Sequence, residues 1–176
     1  MVKLSWQDHR TLGQRCAQEL NISSVPHLGL GNFWLPLVLT ARGLLFGEVI
    51  ARLPEDFHMV NNQPKVSFYQ PLDLKDQLRQ PLYRLGKNLL TWIEAMPGVY
   101  LVQFDLIRPP DWQVQFDQIL PFPDLPAIAS VGVQQPDLFQ CHLACLRGEP
   151  VRDLVIANRD YLVLGDRGLV MVSGDD

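Results

Sequence analysis

Two consecutive stretches decide the fold: Val99-Tyr100-Leu101-Val102-Gln103-Phe104-Asp105-Leu106-Ile107 and Trp112-Gln113-Val114-Gln115-Phe116-Asp117-Gln118-Ile119. Tyr100, Val102, Phe104 and Leu106 alternate on the first, and Trp112, Val114 and Phe116 alternate on the second. A one-residue slip would turn one strand's apolar set to the wrong face, so Phe104 must stand opposite Phe116 and Leu106 opposite Val114. Pro109-Pro110-Asp111 is then the connection. Gln103, Asp105, Gln115 and Asp117 fall on the other face, as in a half-solvated antiparallel hairpin.

Immediately before this hairpin, Asp73 to Ala95 carries a helical stripe. Leu74, Leu78, Leu82, Leu85, Leu89, Ile93 and Met96 recur at spacings of three and four. Pro81 interrupts it, and the lost donor predicts a kink or a fresh start at Gln80. Asp73 is placed to cap the helix and Gly98 to follow its end. Nearer the N-terminus, Ser5 to Leu20 predicts a first helix, with Ser5 and Asp8 in a capping-box spacing and Asn21 as its left-handed stop. Phe33–Thr40 and Leu44–Leu53 predict a hairpin about Ala41-Arg42-Gly43, with Pro36 at an edge or bulge. Lys65–Tyr69 is a short strand candidate.

Beyond Leu120, three prolines (Pro121, Pro123, Pro126) argue against regular structure. Ala127–Val133, Leu138–Leu146, Val151–Ile156, Tyr161–Leu164 and Leu169–Val172 read as five short strands between turn residues. The expected architecture is therefore α+β: a mostly antiparallel sheet of short strands, with two main helices (5–20 and about 73–95) packed on it. No repeat or linker divides the chain, so 1–176 is expected to be a single domain.

Composition narrows the function classes. The chain has 176 residues, 47% apolar, with 15 Lys+Arg against 19 Asp+Glu and a net charge of −4. The cations are scattered, which argues against a nucleic-acid backbone binder. No apolar run reaches the roughly 20 residues of a membrane span. Three cysteines, Cys16, Cys141 and Cys145, suit small buried thiols in a reducing, cytoplasmic setting.

Motifs for chemistry are weak. Leu28-Gly29-Leu30-Gly31 lacks the third glycine of a dinucleotide loop, so no cofactor is implied. Cys141-His142-Leu143-Ala144-Cys145 has no second ligand pair, and no metal site is expected. Asp73-Leu74-Lys75 is better used as a cap than as a metal-nuclease element. Asp105 and Asp117 sit diagonally in the derived register, about 7–8 Å apart, within range of a shared water. His58, in the loop with Glu55, Asp56 and Asn61-Asn62, could join them as a general base in a small hydrolase. Trp34, Phe104, Phe116 and Trp112 could instead line a cavity for an apolar small molecule or pigment.

The leading expectation rests on apolar excess. Tyr161-Leu162-Val163-Leu164 and Leu169-Val170-Met171-Val172 are apolar on both faces, as is Phe33-Trp34-Leu35. Such a sheet edge suggests a non-catalytic protein-binding or assembly module, with Trp34, Tyr161, Val163, Val170 and Met171 at the surface that meets a protein partner or a second copy.

Overall fold

The computed structural model describes residues 6–24, 31–53, 59–60, 63–64, 68–107, 112–157, 161–165 and 168–172. In chain order the elements are α1 (Trp6–Glu19), β1 (Ser23–Ser24), β2 (Phe33–Thr40), β3 (Gly43–Phe46), β4 (Val49–Arg52), β5 (Met59–Val60), β6 (Gln63–Pro64) and β7 (Phe68–Asp73). They continue with α2 (Asp76–Trp92), β8 (Gly98–Ile107), β9 (Gln113–Leu120), a 3-10 helix (Leu125–Ser130), β10 (Gln134–Gln135), α3 (Leu138–Leu146), β11 (Val155–Ile156), β12 (Tyr161–Gly165) and β13 (Gly168–Val172). The class is α+β. One sheet runs β1-β9-β8-β2-β4-β7-β12-β13, with β3 also paired to β2. Its ladders are antiparallel except β1 with β9 and β7 with β12.

The central hairpin has the register that alternation demands, with Phe104 opposite Phe116 and Leu106 opposite Val114. Those side chains join Phe33, Leu35 and Val102 on one face of the sheet, where α1 and α2 cover them. Leu82, Leu85 and Leu89 of α2 are fully buried there. Both helices lie close on the strands. A Cβ on Gly13 would come within 2.7 Å of the Phe116 ring, and one on Gly86 within 2.8 Å of Leu37. The opposite face carries a second cluster, in which Trp34, Val38, Ile50, Val99, Leu101 and Leu120 pack against Leu138, Cys141 and Cys145 of α3 and Ala127 of the 3-10 helix. β2 and β8 are therefore covered on both faces.

Several expectations need correction. Leu138–Leu146 is a helix, not a strand: Asp137 accepts from the Gln140 backbone N–H at 2.9 Å, and the Gln140 side chain accepts from Asp137 N in return. This capping box nucleates a turn that the apolar pattern alone does not show. Leu125–Ser130 forms a 3-10 helix where irregular chain and then a strand were expected, with Pro126 near its start and the Asp124 carboxylate accepting from Leu125 N. Only Val155–Ile156 of the segment 151–156 is strand. The third strand runs over Phe68–Asp73, later than expected.

α2 passes through Pro81 without a fresh start. Gln77, whose carbonyl loses its partner, is solvent-exposed, so water can take that bond. Its N-cap is Lys75, with no side-chain cap, because Asp73 instead accepts from Arg79 at 2.8 Å. The helix stops at Trp92, so Met96 lies beyond the stripe and is 62% exposed. Pro36 is not at an edge. It sits mid-sheet opposite Leu101, and the side on which it lacks a donor faces the break between β3 and β4, where Gly47 N donates to Pro36 O. Asn21 does take the expected left-handed conformation, at φ 54°. Ser5 and the Pro109-Pro110-Asp111 turn lie outside the described residues.

Leu85→Ala should lower unfolding free energy by about 2–5 kcal/mol in denaturant titrations, because the site is enclosed between α2 and the sheet. A wild-type midpoint would show that α2 does not cover this face.

Candidate functional site

One end of the second sheet face is polar. Side chains directly opposite each other in a ladder share a face. Trp34 pairs with Gln103 and Ile50, Gln103 with Gln118, Arg52 with Phe68, and Asp105 with Gln115. Beyond the apolar cluster under α3, this face thus carries Gln103, Gln118, Asp105 and Arg52 around Trp34.

Gln118 reaches this face through a bulge. Gln103 pairs with Gln118 but Phe104 pairs with Phe116, so Asp117 is the extra residue. The bulge lets Gln118 Nε2 donate to Gln103 Oε1 at 2.7 Å, while Gln103 Nε2 donates to Gly31 O at 2.8 Å. The buried Asp117 carboxylate accepts from Gly31 N at 2.9 Å. Gly31 is thereby held by both its amide N–H and its carbonyl. A Cβ here would stand 2.6 Å from Phe104 O, a backbone atom that cannot move aside. Next to it, Asn32 Nδ2 donates to Asp105 Oδ2 at 3.3 Å, and Asp105 Oδ1 accepts from Leu106 N at 2.8 Å.

Arg52 completes the site. Its guanidinium lies 5.5 Å from the Trp34 ring centroid, and its backbone N–H donates to Asn32 O at 2.8 Å. Phe68 meets Trp34 edge-on at 5.3 Å. Arg52 Nε is buried yet has no hydrogen-bond partner among the described residues. A buried unused donor on a cation is costly unless a ligand or water satisfies it.

The residues singled out from sequence are dispersed. Asp105 lies at this site, but the bulge removes Asp117 from the expected diagonal and turns it to Gly31. Trp34 is 2% exposed and is covered by Arg52 rather than open at an edge. Phe104 and Phe116 are buried on the opposite face from Trp34, so the four aromatics line no common cavity. His58 lies outside the described residues, as do the side chains of Tyr161, Val163, Val170 and Met171. Trp112 instead edges an open groove of about 280 Å³ with Asn21, Gln77, Pro81 and Gln113, lined by no ionisable side chain among the described residues.

The cysteines are buried on α1 and α3. Burial pushes the Cys16 thiol up to about 11 and Cys141 up to about 12, so neither is a thiolate nucleophile at neutral pH. His142 Nδ1 accepts from Val99 N at 3.0 Å, tying α3 to β8.

No protein-family model matches this sequence, and no curated protein matches it. Solved structures match in fold. Glycinamide-RNase-transformylase T from Mycobacterium tuberculosis superposes with a TM-score of 0.63 at 16% identity, over 92% of this chain and 61% of that one. N5-carboxyaminoimidazole synthetase from Staphylococcus aureus, complexed with ADP, gives 0.56 at 13% identity, over 73% and 32%. Carboxyaminoimidazole ribonucleotide synthase from Aspergillus clavatus, complexed with ATP, gives 0.54 at 15%, over 70% and 30%. The chain thus spans under two thirds of the first and about a third of the others. The expectation of a non-catalytic protein-binding or assembly module at an apolar sheet edge is accordingly corrected: the fold is shared with a transformylase and with synthetases solved in complex with ADP or ATP.

Gly31→Ala should cost about 1–3 kcal/mol, read as a lower denaturation midpoint, since the new methyl meets backbone; an unchanged midpoint would contradict the close approach. Burial holds the His142 pKa below its ordinary 6.5, so folding favours the neutral ring. The unfolded chain then binds more protons below that value, and stability falls as pH drops from about 6.5 through the lowered folded value. His142→Asn, which keeps an acceptor for Val99 N, should flatten the urea-midpoint profile between about pH 7.5 and 5.5. An equally steep profile would assign that dependence elsewhere.

Proposed function

We propose that this chain contributes an adenine-nucleotide site to an ATP-dependent enzyme, with the nucleotide phosphates at Arg52. The observation that carries this reading is a buried guanidinium Nε, without a hydrogen-bond partner among the described residues, already oriented over Trp34. A planar guanidinium fixed by stacking suits bidentate contact with phosphate oxygens. Gln118, which Gln103 engages only through its Nε2, carries a neutral acceptor oxygen on the same face, suited to a ribose hydroxyl. The fold supports the reading, since neighbours of the same architecture are described in complexes with ADP or ATP.

Asp105 is the carboxylate of the earlier acid–base pair that still borders this site. The synthetases matched in fold are about three times as long as the matched region, so a complete activity would draw on further chain or a partner.

ADP should bind the wild type in isothermal titration. Arg52→Ala should weaken it at least about tenfold, the scale of one lost charge-assisted hydrogen bond, and Arg52→Lys should recover part of the loss. Absence of ADP binding by the folded protein, or equal affinity in Arg52→Ala, would refute the assignment.

A further inference from the structure

The layer that covers the second sheet face is apolar on its outside as well. α3 lies over β8 and β2, and the 3-10 helix lies beside it over β4 and β7. The two are joined where Leu138 N donates to the buried Ser130 Oγ at 3.0 Å. Their inward residues, Leu138, Cys141, Cys145 and Ala127, fill the core. Outward, Phe139, Leu143 and Leu146 follow the helical period along α3, and Leu125, Ile128 and Val131 follow the three-residue turn of the 3-10 helix. These six side chains are 42–65% exposed. Together they present roughly 600 Å² of apolar surface, the top of the range that monomers leave bare and close to the roughly 800 Å² that each partner of a standard interface covers. Between Leu125 and Leu146 the only Asp, Glu, Lys or Arg is Asp137, and His142 turns its ring to Val99 N. A helical face that meets only water would carry charges at these positions.

We infer that this face is where two copies of the chain meet, their α3 helices antiparallel across a two-fold axis. Two observations favour a second copy over a foreign partner. The middle of the face is uncharged, so no like charges oppose one another when it meets itself. Its ends carry opposite signs: Asp137 caps the N-terminus of α3, and Arg147 ends the helix with 60% of its side chain exposed. An antiparallel copy sets each Arg147 beside the other chain's Asp137 and brings opposite helix-dipole ends together. The pair that Arg147 makes with Glu149, at 4.0 Å and exposed on both sides, is weak enough to exchange. Leu143, the outward residue nearest the middle of α3, then meets its own counterpart close to the axis. The surface is a helical layer away from the strand edges, and the inference is independent of the nucleotide reading.

Sedimentation equilibrium of the full chain tests this. The wild type should approach twice its 20.0 kDa at about 100 µM, and a strictly monomeric wild type at that concentration overturns the inference. Leu143→Arg should weaken self-association at least about tenfold while leaving the circular dichroism spectrum unchanged. A folded Leu143→Arg that dimerises as tightly as the wild type refutes this face. Leu143→Cys decides the arrangement, and it carries the test alone if the arginine variant does not fold. Close to the axis, its thiol lies within disulfide reach of its counterpart. Mild oxidation should therefore give a covalent dimer on a non-reducing gel, while the wild type, whose three cysteines are buried, gives none. A dimer in solution whose Leu143→Cys chains do not cross-link would overturn the antiparallel pairing.

Discussion

β8 is buried on both faces, and the rest of the structure depends on the way its two faces are satisfied. Phe104 and Val102 meet α1 and α2 on one side, while Val99 and Leu101 meet α3 on the other. A strand with two apolar faces cannot slip or leave the sheet without exposing one of them. Gln103 is the exception in this run, 2% exposed and polar. Its burial is tolerable because both ends of its amide are bonded, to Gln118 and to Gly31. The bulge at Asp117 is what brings Gln118 to it. One inserted residue therefore couples core packing to the polar end of the sheet.

That coupling explains which features the sequence reveals. The hairpin register was legible because Phe104, Leu106, Val114 and Phe116 admit one arrangement with a single apolar face. The bulge was not. In regular alternation Gln118 would share the helix-covered face with Phe116; the one mark of the insertion is Ile119, apolar at a position that alternation would put on the polar face. The amide pair, which depends on that insertion, was hidden with it. α2 was readable because its leucines follow a helical period over four turns. α3 was not, because Phe139, Leu143 and Leu146 remain exposed while Leu138, Cys141 and Cys145 face inward. An element apolar all round fits a strand period as readily as a helical one. Its capping box was the available signal, with Asp137 three residues before Gln140.

Arg52 shows the same limit from another direction. In the sequence it is a cation ending a short apolar run, Val49-Ile50-Ala51. Its significance comes from the ladder, which puts it on the face of Ile50 and Trp34, where stacking fixes the guanidinium and burial strips Nε of water. Among the described residues no partner replaces that water.

The central claim is that Arg52 Nε is a donor held in reserve for phosphate. Its N–H resonance, assigned in a 1H–15N spectrum by comparison with Arg52→Lys, reports that bond directly during ADP titration. The account predicts a downfield shift and slowed solvent exchange of this one arginine signal as ADP saturates. A resonance that neither moves nor gains protection while ADP binds would place the phosphates elsewhere and contradict the account.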